Sequence, residues 1–303
     1  MSDVIAHHID ARELRAVAEE LANEAAAFVR RRRPQVFGWT GSDAGGSAVR
    51  SKTTRTDPVT IVDTESERLL RDRLAELRPG EPVLGEEGGG PAKGRADRSG
   101  SVTWVLDPID GTVNFVYAIP AYAVSVAAQV DGVSVAGAVA DVTGERVYSA
   151  ALGHGAHVVD HNGQRNALHC NQVDDIAMAL VGTGFGYAAD RRAAQAAVLQ
   201  GVLPAVRDVR RIGSAALDLC MVAAGQLDAH YEHGLHIWDW AAGALIAAEA
   251  GAAVHPPVAG DDALTVAAAP GIAARLLGLL ERLGAVETLP LVKQSGDDRA
   301  SGC

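Results

Sequence analysis

The chain has 303 residues, 48% of them apolar and 21% charged, and a formal net charge of -11. That profile excludes disorder for the body of the chain and supplies enough apolar residues for one large domain or two mid-sized ones. The acidic balance excludes broad electrostatic attraction to nucleic acid or an anionic membrane, and it suits a protein that gathers cations.

Three cysteines, Cys170, Cys220 and Cys303, lack the paired spacing of a zinc ribbon or redox motif, so a reducing cytoplasm is the expected setting. No apolar run approaches the roughly 20 residues that span a bilayer. The start, MSDVIAHHID, is polar and unlike a secretion signal, so a soluble, unsecreted protein is expected.

In chain order, Leu14, Val17, Leu21, Ala25, Phe28 and Val29 recur at helical spacing. They predict an amphipathic helix over 11–33, stopped by Pro34, with Arg30 to Arg33 against the negative end of its dipole. The glycine- and serine-rich stretch 38–47 reads as a loop. A second helix is expected to run to Leu77, with Thr64 and Glu67 spaced as a capping box, which sets Asp63 one residue ahead of the helix. Pro82 to Leu84 predicts a short strand, followed at once by Glu86 and Glu87 and by a glycine-rich, basic loop over 88–100.

Val102 to Leu106 predicts a buried strand ending in the tight turn Asp107-Pro108-Ile109-Asp110-Gly111, after which Thr112 opens a helix. From Tyr122 to Val159, strands alternate with the turn pairs Asp131-Gly132 and Thr143-Gly144 and with Gly153-His154-Gly155, an antiparallel meander. Beyond about residue 166 strands (179–183, 208–212, 227–231) alternate with helices (188–206, 214–224, 240–250), as α/β units do, and Pro270 opens a last amphipathic helix to Leu283. The organisation is an α+β half over 1–165, an α/β half over 166–289 and a polar tail over 290–303, with the two halves read as one compact unit.

Acidic residues stand at the ends of four of these elements: Asp63, Glu86, the pair Asp107 and Asp110, and Asp239. Each alone has an ordinary reading, as a helix cap or a solvated loop acid. Together they are what hard divalent cations need, since Mg²⁺ takes oxygen ligands and two-metal phosphatases bridge paired ions with a carboxylate. Pro108 would restrain the backbone and leave the Ile109 carbonyl free as a further oxygen ligand. Free amides at Gly111 and Thr112, opening a helix, suit a phosphate.

Other motif readings fail. The acids lack the alternate spacing of an EF-hand loop. Gly182-Thr183-Gly184-Phe185-Gly186 lacks the spacing of a dinucleotide fingerprint. His230, His233 and His236 suggest zinc, but one strand-to-loop segment rarely directs three such side chains inward, and His236 is expected to pack beside Asp239.

Four stretches resemble the inositol monophosphatase family of lithium-sensitive, Mg²⁺-dependent phosphatases. They are Asp57 to Asp63 (DPVTIVD), Gly85-Glu86-Glu87, Trp104 to Thr112 (WVLDPIDGT) with Asn114-Phe115, and Trp238 to Gly243 (WDWAAG), and the resemblance covers roughly residues 12 to 285. It implies a layered αβαβα sandwich of the sugar-phosphatase type. It also implies that Glu86, Asp107 and the Ile109 carbonyl bind a first metal, that Asp107 bridges to a second held by Asp110 and Asp239, and that Glu86 serves a weaker third site near Asp63.

By the same resemblance Asp63 and Thr112 orient and deprotonate the attacking water, with Gly111 and Thr112 at the phosphate. Gly213, Ser214, Ala215 and Glu232 match positions that contact the inositol ring, and Lys52 matches a lysine beside the metal loop. The implied activity is hydrolysis of inositol 1-phosphate with two or three Mg²⁺, inhibited by Li⁺, in a cytoplasmic homodimer. Rival substrates on the same site are fructose 1,6-bisphosphate, histidinol phosphate and adenosine 3′,5′-bisphosphate, and a second phosphate would call on Arg210 and Arg211. A rival of another class is a binding role in transcription-complex assembly.

Overall fold

The computed structural model describes residues 10–38, 49–52, 57–90, 100–257 and 263–286. The loops expected over 38–47 and 88–100, the tail 290–303 and Cys303 fall wholly or largely outside them. Helix α1 (Ala11–Phe37) starts where the Asp10 side chain accepts the Arg12 N–H, and it runs through Pro34 instead of stopping there. Burial explains the extension. Phe37 is buried edge-on against Phe115, with ring centroids 5.5 Å apart, which outweighs one backbone hydrogen bond lost to proline in a last turn. Nor do the arginines serve the helix dipole: Arg30 donates to the Val142 carbonyl, Arg32 to Glu65, and Arg33 to the carbonyls of Phe115 and Val116.

Strands β1 (Val49–Ser51) and β2 (Pro58–Thr60) form an antiparallel ribbon that leads into α2 (Ile61–Leu77). The capping box is Thr60 with Asp63, one turn earlier than the expected Thr64 and Glu67. The same threonine-to-acid spacing occurs twice in a row, and the earlier start lets Val62, Asp63, Ser66 and Glu67 all face the interior. Asp63 therefore sits inside the first helical turn and is fully buried.

The larger sheet is β3 (Val83–Gly85), β4 (Val102–Asp110), β5 (Ala123–Val130), β6 (Val133–Asp141), β7 (Arg146–Ala151), β8 (Ala156–Val159) and β9 (Arg165–Ala167), side by side in that order. Only β3 and β4 run parallel, because the meander from β4 onward is joined by short turns. Short helix α3 (Thr112–Tyr117) lies between β4 and β5. Trp104 and Leu106 pack toward α1 and α2, while Val105 faces the opposite side, as a strand's alternation requires.

The second sheet is mixed. It is built from β10 (Leu180–Thr183), β11 (Asp208–Arg210) and β12 (Ala229–His233), with helices α4 (Ala189–Val202), α5 (Ala215–Ala223) and α6 (Ile237–Glu249) between or after them. Two strands absent from the sequence expectation, β13 (Ala253–His255) and β14 (Leu264–Ala268), complete the order β11-β10-β12-β14-β13, with β12 and β14 antiparallel. Helix α7 (Pro270–Arg282) follows.

Side chains of α1 and α2 cover one face of the larger sheet. Its other face shares a core with α5 and α6, including Val105, Val139, Leu219 and Ile246, and that core reaches Ala267 of the second sheet. Helices α4 and α7 close the far face through Val198, Val202, Ile272 and Leu276. The layers are αβαβα, and the middle helices carry contacts from residues on both sides of position 165.

Candidate active site

The acidic cleft begins with a backbone irregularity in β4. Side chains alternate along a strand, so Asp107 and Asp110, three apart, would ordinarily face opposite sides. Between them the register slips: Asp107 pairs with Ser125 and Asp110 with Ala123, three steps on β4 against two on β5. This extra residue is a β-bulge, a place where proline costs little because it has no ladder N–H to lose. The bulge sends Ile109 into the α1–α2 core and turns both carboxylates to the α6 side. The expected tight turn is thus the bulged end of a strand, closed by Gly111 at φ 92°, where a Cβ would lie 3.0 Å from the carbonyls of Ala121 and Gly213.

Asp239 meets this pair from α6, at the third position of the helix, where it accepts the His236 N–H at 2.7 Å. His236 stacks on Trp238, ring centroids 5.0 Å apart. One oxygen each from Asp107, Asp110 and Asp239 lies within 4.8 Å of the others. Asp110 is held by Ser214 Oγ at 2.5 Å and the Ala216 N–H at 2.7 Å, while the Ile109 N–H donates to Asp107 at 3.0 Å.

Glu86 follows β3, and its N–H donates to the Leu106 carbonyl at 3.2 Å. Lys52 Nζ donates to Glu86 at 2.7 Å and also contacts Glu87. Beneath this loop, buried Glu67 accepts the N–H groups of Glu87 and Gly88. Thr112 Oγ1 donates to Asp63 at 3.2 Å and to the Ile109 carbonyl at 3.0 Å.

Burial, followed by mutual repulsion, dominates the electrostatics. Asp107 and Asp239 are raised well above the usual carboxylate range, by burial and then by the neighbouring acids; Asp110 is pushed up to about 6, burial outweighing its bonds from Ser214 and Ala216. Asp63 is raised to about 7, again chiefly by burial. Burial would lower the Lys52 ammonium, but Glu86 and Glu87 overcome it and raise it. Buried oxygens that repel one another at this spacing are a donor set for a hard divalent cation, which would relieve the repulsion.

These groups line a cleft of about 750 Å³. Lys52, Glu86, Asp107, Ile109, Asp110, Gly111 and Thr112 are all on it, as are Gly213, Ser214, Ala215, Glu232 and Asp239. Asp63 is not; it reaches the cleft through Thr112. Of the two expected arginines only Arg211 lines it, since Arg210 turns to Asp208 on β11. Tyr187, from the β10–α4 connection, and Arg191, in the first turn of α4, also line it, and no local motif announced them. His230 and His233 are buried, His233 on the Ala285 carbonyl, so the histidine triplet does not converge.

The layered fold and the acidic cleft define a metal-dependent phosphatase. The sequence matches the inositol monophosphatase family over residues 10–287, and the chain belongs to that family. It is 69% identical over 277 residues to an inositol-1-monophosphatase of Mycobacterium leprae, covering 90% of this chain and 95% of that one. It is 65% identical over 280 residues to the inositol-1-monophosphatase SuhB of Mycobacterium tuberculosis H37Rv, covering 91% and 96%. The solved structure of Mycobacterium tuberculosis SuhB superposes with a TM-score of 0.77 at 58% identity, covering 92% of this chain and all of that one.

Proposed function

We propose that the protein hydrolyses inositol 1-phosphate to inositol and inorganic phosphate by direct attack of water on phosphorus. The convergence of Asp107, Asp110 and Asp239 beside the Thr112–Asp63 pair carries the reading. Glu86, Asp107 and the Ile109 carbonyl would hold one Mg²⁺, Asp107, Asp110 and Asp239 a second, and Glu86 a third near Asp63. Bound there, the ions would neutralise phosphoryl charge and make water a better nucleophile near neutral pH.

The chain's own groups do the rest. With its proton shared between Asp63 and the Ile109 carbonyl, the Thr112 hydroxyl keeps a lone pair for the attacking water. As that water's oxygen bonds phosphorus, its proton passes to Thr112 Oγ1 and the threonine proton to Asp63, while the ester P–O bond breaks and solvent protonates the leaving oxygen. Gly111 and Thr112 would offer backbone N–H groups to the phosphoryl oxygens. Gly213, Ser214, Ala215 and Glu232 would receive the polyol, and Lys52 would hold Glu86 in place.

Phosphate release tests this across inositol 1-phosphate, fructose 1,6-bisphosphate, histidinol phosphate and adenosine 3′,5′-bisphosphate, with Mg²⁺ and with added Li⁺. The highest kcat/KM is expected on inositol 1-phosphate, with Li⁺ inhibiting; no turnover on any of the four sinks the reading. Family membership also supports a cytoplasmic homodimer, which light scattering of the purified chain would test for association. Among the described residues no helix is long and apolar enough to cross a membrane.

A further inference from the structure

Behind Glu232 lies a second group of ionisable side chains. His230 and Glu232 are two apart on β12 and share the face toward α5, while Tyr231 between them joins the α4–α7 core. His230 is fully buried. Its Nδ1 faces Asp218 of α5 at 3.8 Å and its Nε2 faces Glu232 at 3.6 Å. Neither ring nitrogen has a hydrogen-bond partner among the described residues, and neither does Asp218 Oδ1. Shifts of about half an ångström to an ångström would close both gaps to hydrogen bonds.

The strand beside it has made room for this arrangement. Gly182 pairs with His230 across β10 and β12, and a Cβ there would come within 3.0 Å of Asp218 Oδ1 and 3.1 Å of His230 Nδ1. A Cβ at Gly184 would overlap the Glu232 carboxylate. The Gly-x-Gly run that failed as a dinucleotide motif has a different use: two absent side chains give the imidazole and both carboxyls their slot.

We propose that His230 and Asp218 are positioning residues that act through Glu232, the imidazole bridging the two carboxyls so that Glu232 presents a fixed hydrogen-bonding face to a polyol hydroxyl. A neutral imidazole has one N–H and one lone pair, so bridging two carboxyls requires one of them to be protonated. In one arrangement Glu232 O–H donates to Nε2 and Nδ1–H donates to the Asp218 carboxylate. Moving the Glu232 proton to Nε2 and the Nδ1 proton to Asp218 breaks those two bonds, forms two equivalents, and makes Glu232 the carboxylate at unchanged net charge. Burial favours the neutral imidazole, pushing His230 down to about 3, and raises Glu232 to about 8. Arg211 opposes the rise at Glu232 and Asp110 adds to it; Asp218 is raised well above the usual carboxylate range by burial first, then by Glu232 and Asp110, with Arg211 opposing.

The inference rests on the polyol-phosphate reading above, and the test separates the two. Kinetics of wild type, His230→Met and His230→Gln are compared on inositol 1-phosphate and on 4-nitrophenyl phosphate, which offers no hydroxyl to Glu232. His230→Met should raise KM for inositol 1-phosphate about tenfold, as loss of one well-placed hydrogen bond does, while kcat/KM for the aryl ester stays within about twofold. His230→Gln, with one amide donor and one acceptor, should recover most of the loss. Asp218→Asn, which keeps shape and changes the proton count, is the second variant and should raise the same KM should the methionine chain fail to fold.

Equal losses on both substrates, or none on either, overturn the positioning role while leaving the enzyme reading intact. A wild type that cleaves only the aryl ester overturns both. One zinc per chain, lost in His230→Met and kept in Asp110→Asn, would make the group a metal site and overturn the bridge.

Discussion

The Thr112 hydroxyl donates to a carboxylate that never reaches the cleft: Asp63 is fully buried, 3.2 Å behind it, and the same hydroxyl also meets the Ile109 carbonyl at 3.0 Å. A shared donor of this kind fixes the threonine rotamer and aims its lone pair outward. Thr112→Ala should therefore lower kcat by roughly 10²–10⁴, the usual range for a lost proton acceptor, with KM changed less than about threefold. Thr112→Ser, which keeps the hydroxyl, should retain most activity. Steady-state kinetics on inositol 1-phosphate decide it, and an alanine variant as fast as wild type refutes the relay.

Asp110 is buried among like charges and raised chiefly by that burial, so its ionised form is a liability until a cation joins it. Asp110→Asn should abolish turnover, yet in EDTA it should melt at or above the wild-type temperature, because a buried charge has been removed. Adding Mg²⁺ should then raise the wild-type Tm and leave the variant's nearly unmoved, since only a bound ligand shifts the folding equilibrium. Equal Mg²⁺ shifts in both proteins would remove Asp110 from the ligand set.

Much of this was legible before any coordinates. The acids at element ends and the second helix were read from the sequence, but the helix start was placed one turn late, so Asp63 was set ahead of the helix and not, with Glu67, on the buried face it shares with Leu70 and Leu74. That error came from a repeated capping signal, and local chemistry could not choose between its copies. The bulge at Pro108 was beyond reach for another reason: a proline between two acids reads equally as a turn, and only pairing with β5 shows the strand continuing. Tyr187 and Arg191 reach the cleft through the approach of the β10–α4 connection and the first turn of α4, a long-range fact that no short motif encodes. Strands β13 and β14 were missed because β13 has three residues and each takes its stability from a neighbouring strand.

Gly111 combines a left-handed φ of 92° with backbone carbonyls 3.0 Å from where a Cβ would stand. Alanine must therefore strain the backbone and push apart the Ala121 and Gly213 segments, one of which carries the Asp110 anchor Ser214. Gly111→Ala should cost about 1–3 kcal/mol of stability. It should also lower kcat more than a remote glycine change such as Gly132→Ala, where a Cβ meets nothing within 4 Å. Denaturant unfolding of the two variants makes the comparison, and equal midpoints and rates would show that the Gly111 approach is not tight.

Glu19 ties α1 to the meander: it accepts from Ser149 at 2.6 Å and from Arg165 at 2.6 and 2.9 Å. Burial alone would raise its carboxyl, but the bonds from Arg165 and Ser149 outweigh it and hold the group below the ordinary value of 4.5. A depressed folded-state pKa contributes stability that is present above the unfolded value and lost as pH falls through the folded one. Glu19→Gln should consequently lower the urea midpoint most near pH 7, by an amount equivalent to about 1 kcal/mol for a partly exposed charged bond. The gap between the two proteins should hold down to about pH 5.5 and shrink steadily from there toward pH 3, as the wild-type carboxyl takes up its proton. Paired urea titrations at half-unit pH steps measure it. A gap that stays constant to pH 3 would mean that the contact works through packing and not through charge.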